Sequence, residues 1–140
     1  AVDLRSYTQM LSRQVWSSHS SSLARVAITV VSEPLMVDLD TALPLGLLLN
    51  EAITNSLKHA FPDNRTGRVT VSVKADDEHV GLTIADDGVG MGPAISSSTG
   101  MGTRMIRMLA CQLDGEASFV SGAGTTVSVR FPRKRVRCRA

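Results

Sequence analysis

Aromatic residues, cysteines and long apolar runs are all scarce in this sequence, and each shortage excludes something. Only 4% of the 140 residues are aromatic: one Trp, one Tyr and three Phe. The two cysteines, Cys111 in an apolar helical stretch and Cys138 near the end, provide no disulfide framework and suit a reducing cytoplasm. No apolar run approaches the length needed to cross a bilayer, and Ala1 opens no signal-peptide pattern. The expectation is a cytoplasmic domain without membrane contact. Internal repeats and long low-complexity segments are also missing. What remains, 43% hydrophobic and 20% charged, is enough for one soluble domain with a single core.

The net charge of +2 is unevenly placed. Arg133, Lys134, Arg135, Arg137 and Arg139 form a basic tail over 133–140, and without them the body is mildly acidic, about −3. Such a body is no general platform for nucleic acid, where affinity rests on neutralising phosphates. The tail reads as a frayed terminus. A start at Ala1, partway into a helical pattern, is expected of a piece of a longer chain.

Apolar residues at 4, 7, 10, 11 and 15 predict a helix from Val2 to Trp16, followed by a Ser-rich loop. Residues 27–31 predict a strand, and a short second strand over 35–37 is expected to pair with it across Glu33-Pro34. Asp40 or Thr41 can cap a helix with Pro44 in its opening turn, running to Ala60, where Phe61-Pro62 ends it. Alternating Val69, Val71, Val73 and Val80, Leu82, Ile84 predict a hairpin around Asp76 to His79. A polar, Gly- and Ser-rich stretch covers 88–102. A helix over 103–113 and two strands, 116–121 and 125–131, complete the chain. This order predicts an α/β (α+β) two-layer sandwich, with helices on one face of a mixed sheet.

Two groups of residues can carry chemistry. On the long helix, Leu49, Ala52, Ile53, Leu57 and Ala60 fall on one side, and Glu51, Asn55, Lys58 and His59 on the other. A solvated face is the ordinary explanation of such a stripe. However, Leu47 and Leu48 share the polar side, and Asn55 stands mid-helix against its propensity. An Asn oxygen is a ligand Mg²⁺ accepts, Lys58 can neutralise phosphate, His59 can donate to it, and Glu51 can hold a metal-bound water or take a proton. The second group is glycine-rich. Gly88, Gly90 and Gly92 follow a strand ending at Asp86, whose carboxylate can accept from an exocyclic amine such as that of adenine. An Asp-Gly turn is the competing explanation. Gly100 and Gly102 precede a helix, where amides attract phosphate. Gly122-Ala123-Gly124-Thr125 is accounted for by a hairpin turn. Neither a dinucleotide fingerprint nor a P-loop is present.

The order of these pieces is more specific than any one of them. NEAITNSLKHAFP (50–62), DDGVGMG (86–92), GMG (100–102) and GAGTTVSVRFP (122–132) resemble the N, G1, G2 and final boxes of the GHKL ATPase superfamily, across roughly residues 35–132. That superfamily spans gyrase, mismatch-repair and chaperone ATPases as well as histidine kinases. Within it the sequence is most similar to bacterial sensor histidine kinases related to the HWE type. This rests on Pro44-Leu45-Gly46-Leu47, on Lys58 to Pro62, and on a short lid between Gly92 and Gly100. The Trp-Glu pair naming that group is absent.

The resemblance implies a Bergerat-type fold binding ATP and Mg²⁺. It makes Asn55 the Mg²⁺ ligand and places Glu51 beside the metal shell. Lys58 and His59 contact phosphates, Asp86 accepts the adenine amine, and Gly88 and Gly90 allow close approach of the base. Gly100 and Gly102 support the phosphates as the segment 91–102 closes, and Thr125 sits behind the adenine, joined to Asp86 through water. It also implies phosphoryl transfer to a histidine outside this chain, on a helical hairpin that dimerises the parent kinase, and a response regulator as the next partner. Residues 1–20 would then be a linker or helix after that hairpin, and 21–132 the catalytic domain. His19 and His79 lie in polar loop or turn segments, as solvated histidines do. An anti-sigma-factor-type serine kinase and a degenerate, nucleotide-sensing kinase domain are the alternatives.

Overall fold

Apolar residues at every second position dictate the main sheet. In the computed structural model, which describes residues 2–18, 26–59, 66–88 and 101–133, they are buried in three successive strands. These are Val69, Val71 and Val73 of β4 (Gly67–Ala75), Val80, Leu82 and Ile84 of β5 (His79–Asp86), and Val127, Val129 and Phe131 of β7 (Thr125–Pro132). Helix labels below follow chain order, after β1 (Val2–Asp3), β2 (Val26–Ser32), β3 (Met36–Val37) and β6 (Glu116–Ser121). Side chains alternate across a sheet, so the opposite face carries Thr70, Ser72, Thr83 and Ser128.

The strand order is β2-β4-β5-β7-β6. β2 runs parallel to β4, with Val26 opposite Gly67, and the other neighbours are antiparallel. A parallel pair needs a long crossover, and α2 (Leu39–His59) lies within it. Helices α1 (Leu4–Ser18) and α3 (Met101–Gln112) pack on either side of α2, and the three cover the apolar face. The sheet and helix layers are those expected from the order of elements.

Helix α2 is the centre of the core. Leu45, Leu48, Leu49 and Ile53 are completely buried, each worth about 1.5–3 kcal/mol of transfer free energy. Leu48 therefore belongs to the core side, not to the polar side where the helical projection put it; Leu47 is exposed. Gly46 lets α1 approach closely, because a Cβ there would run into the Tyr7 hydroxyl. The helix starts earlier than Asp40 or Thr41. The Asp38 carboxylate accepts from the Thr41 amide at 2.9 Å, which makes Asp38 the cap. Pro44 then falls in the second turn, where its missing N–H leaves the Asp40 carbonyl without the usual helical donor.

One further expectation is corrected: β3 does not pair with β2. The Glu33 amide still donates to the Val73 carbonyl, so the chain follows β4 to the end of β2 and then leaves the sheet at Pro34. Leu35 and Val37 are buried there, the Leu4 amide donates to the Leu35 carbonyl, and β3 pairs with β1. Residues 1–20, read as a linker or a helix, include α1, whose Leu4 and Val15 join the same buried cluster as α2 and the sheet.

The β4–β5 turn is held by Asp76, whose Oδ1 accepts from the amides of Glu78 (2.8 Å) and His79 (2.7 Å). These bonds hold its carboxyl below the ordinary 3.8. The sign follows: Asp76 stabilises the fold fully above pH 3.8, and the contribution disappears as pH falls through the lowered folded value. Urea melts of Asp76→Ala and the parent should therefore differ at pH 6 and converge in strong acid. In the same assay at neutral pH, Leu49→Ala should lose about 2–5 kcal/mol, and Asp38→Ala about 1 kcal/mol.

Candidate functional site

The apolar run of β5 ends on Asp86, a carboxylate only 9% exposed. Burying a charge requires hydrogen bonds, and three donors converge on it. The Gly88 amide (3.1 Å) and the Thr125 amide (3.2 Å) donate to Oδ1, and the Ser56 hydroxyl (3.0 Å) donates to Oδ2. They come from the turn after β5, from the start of β7 and from α2. Asp87 fastens the same turn to β4: the Arg68 amide donates to Asp87 Oδ1 at 2.7 Å, and the Asp87 amide to the Arg68 carbonyl at 3.3 Å. The turn between β6 and β7 presses against this corner. A Cβ on Gly124 would run into the Asp86 carbonyl, so only glycine fits.

Two acceptor and donor capacities are left over. An ionised carboxylate offers about four lone-pair positions, and Asp86 has three donors among the described residues. The Thr125 hydroxyl is buried with no hydrogen-bond partner among the described residues. Among the described residues, the corner keeps one carboxylate lone pair beside an unsatisfied hydroxyl.

Of the expected site residues, Asp86, Gly88 and Thr125 are joined directly. The link from Thr125 to Asp86 is its own amide, which leaves the hydroxyl available. Asn55 and Glu51 are half-buried on α2, the helix that also supplies Ser56. Lys58 and His59 occupy its last residues, with side chains outside the described set. Gly102 lies in the first turn of α3, while Gly90 and Gly100 fall outside the described residues. His79 sits at the opposite end of β5 from Asp86. Sequence reasoning missed Ser56 and Gly124. Ser56 had a signal: it lies on the apolar stripe of Ala52, Ile53 and Leu57, where a hydroxyl needs a buried partner. Gly124 had none, because a turn glycine and a close-approach glycine look alike. Among the described residues no three His, Cys, Asp or Glu side chains gather as a metal cage.

Residues 40–135 match the family described as histidine kinase-, DNA gyrase B- and HSP90-like ATPases. The chain belongs to this ATPase family. Blue-light-activated histidine kinase 2 of Erythrobacter litoralis (strain HTCC2594) is 30% identical over 119 residues, covering 82% of this chain and 34% of the relative. The anti-sigma F factor of Bacillus subtilis (strain 168) is 32% identical over 74 residues, 53% of this chain and 51% of that protein. The chain thus spans about a third to a half of the curated relatives it matches. The histidine kinase domain of the Erythrobacter litoralis EL346 blue-light activated kinase superposes with a TM-score of 0.85 at 27% identity, covering 94% of this chain and 61% of that one.

An ATPase-family domain takes ATP. At this corner the Thr125 hydroxyl has no hydrogen-bond partner among the described residues. Thr125→Val keeps the shape and removes a buried hydroxyl without a partner. Thermal stability should hold or rise while ATP affinity, read by calorimetry, falls. Ser56→Ala, which withdraws a donor from a buried carboxylate, should instead lower stability by about 1–3 kcal/mol.

Proposed function

We propose that this chain is the catalytic part of a sensor histidine kinase, binding Mg²⁺–ATP and presenting the γ-phosphate to a histidine outside residues 1–140. The observation that carries this reading is the Asp86 corner, where a buried carboxylate is fixed from three directions and retains one acceptor position. In the transfer, an imidazole nitrogen of the acceptor forms the N–P bond as the P–O bond to ADP breaks, and ADP leaves. Little covalent chemistry is asked of the protein, which positions the reactants and balances charge.

The residues divide that work along α2 and the glycine turns. Asp86 accepts the adenine amine, Gly88 and Gly90 admit the base, and Thr125 contacts its edge. Asn55 ligates Mg²⁺, which when bound neutralises phosphate charge, with Glu51 holding its water shell. A hard ion of this kind uses few protein ligands alongside phosphates, which accords with a single Asn and no carboxylate cage among the described residues. Lys58 and His59, at the end of the same helix, contact phosphates, and Gly102, in the first turn of α3, supports them together with Gly100. The acceptor is the helical hairpin of a dimeric parent kinase, which passes the phosphate to a response regulator in the cytoplasm. The wording around Pro44 and Lys58 supports an HWE-related subfamily.

Asn55→Ala should abolish Mg²⁺-dependent ATP turnover with the fold intact by circular dichroism; unchanged turnover removes Asn55 from the site. Asp86→Asn should reduce the preference for ATP over GTP, and an unmutated chain that binds both equally contradicts the adenine role. The deciding experiment incubates the parent protein with γ-labelled ATP and Mg²⁺. Acid-labile, base-stable label on the parent supports a histidine acceptor. Acid-stable label on an added protein substrate supports the serine kinase type, the reading favoured by similarity to anti-sigma F factors.

A further inference from the structure

Among the described strands the main sheet ends at β2, two strands from the one that carries Asp86. β2 pairs with β4 and with no other described strand. Successive residues of a strand point their N–H and C=O groups to alternate sides, and two observations fix the alternation here. The Glu33 amide donates to Val73 of β4, so odd-numbered positions face β4. The Val26 carbonyl accepts from the Trp16 indole N–H at 2.7 Å, so even-numbered positions face outward, toward α1. Ile28 and Val30 consequently present their main-chain donors and acceptors along the free edge.

A cleft of about 420 Å³ runs beside that edge. Its other wall is one face of α1: Gln9, Ser12, Arg13 and Trp16, at the helical spacing that aligns side chains. Ser12 is 1% exposed, and its hydroxyl has no partner among the described residues; neither has that of Thr8, one turn before. Arg13 is the charged residue among those lining the cleft, and β2 carries no charge. A bare strand edge flanked by a helix is the geometry in which an extended peptide adds as a further strand, with side-chain pockets giving the selectivity.

We propose that the cleft between α1 and β2 docks an extended acidic peptide segment of a partner protein. The segment lies alongside β2, exchanging main-chain hydrogen bonds with Ile28 and Val30. An acidic side chain reaches Arg13. This site is independent of the nucleotide reading.

The probe is a fluorescein-labelled hexapeptide alternating Glu and Val, with its Lys-for-Glu counterpart as control, titrated against the whole chain. The expected result is saturable binding of the Glu peptide only, with amide shifts at Ile28 and Val30 and a shifted Trp16 indole signal by NMR. Raising salt should weaken binding, and Arg13→Glu should weaken it about tenfold. A Glu–Val peptide N-methylated at alternate residues tests the main-chain pairing without altering the protein, and should fail to bind. No binding overturns the proposal, as do equal affinity for the Lys peptide, retained binding of the N-methylated peptide, or shifts confined to other surfaces. Concentration-dependent dimerisation with the same edge shifts and no peptide assigns the edge to a second copy and also overturns it.

Discussion

The buried carboxylate of Asp86 is the constraint around which the site end of this domain is organised. An acid at 9% exposure persists only if donors are brought to it, and they come from three separate parts of the chain. Ser56 ties it to α2, Gly88 to its own turn and Thr125 to β7. Each bond also sets a distance: helix to sheet, turn to strand, strand to strand. Gly124 permits the last of these, since any side chain at that position would collide with the backbone of Asp86. The preorganised corner that results is the kind of feature from which binding gains specificity, because its polar groups are fixed before a ligand arrives.

The hydrophobic layer makes this arrangement affordable. Three strands turn alternate Val, Leu, Ile and Phe residues to one side, and α2 meets them with a row of wholly buried leucines and Ile53. With the core on one face only, the helix layer is rigidly placed by packing density. Residues on α2 therefore inherit a fixed position relative to the ends of β5 and β7. Ser56 reaches Asp86 because Ile53 and Leu57 on either side of it are packed against the sheet. Asn55, one position earlier and turned by about 100°, is left half-buried beside the corner.

The opposite edge shows how topology creates surface. Pairing β2 with β4 in parallel places β2 last in the sheet and leaves one row of its main-chain groups without a strand. Natural edges are normally blunted. Here the Trp16 indole satisfies the Val26 carbonyl, while the helix beside the rest of the edge leaves a cleft. The two surfaces thus differ in chemistry although only β4 separates their strands: a buried acid with converging donors on β5, and a cleft beside the edge of β2.

Much of this was legible in the residues themselves. Period-two valines fixed β4, β5 and β7, the run of leucines with helical spacing fixed α2, and the ordered boxes from Asn50 to Pro132 pointed to the ATPase family. Those features are local, or repeat at a period a sequence displays directly. The pairing of β3 with β1 was not legible, since hydrogen-bond partners of a two-residue strand depend on where Leu4 and Leu35 are carried by the rest of the fold. Neither was the side on which Leu48 falls, because a helical projection gives angles but not the direction of the sheet. Ser56 and Gly124 meet Asp86 across 30 and 38 positions of chain, and the free edge of β2 exists only because of the strand order. The sequence determined which elements form and which chemistry they carry; the tertiary structure alone decided which groups meet, since contacts between distant residues follow from packing that no local pattern encodes.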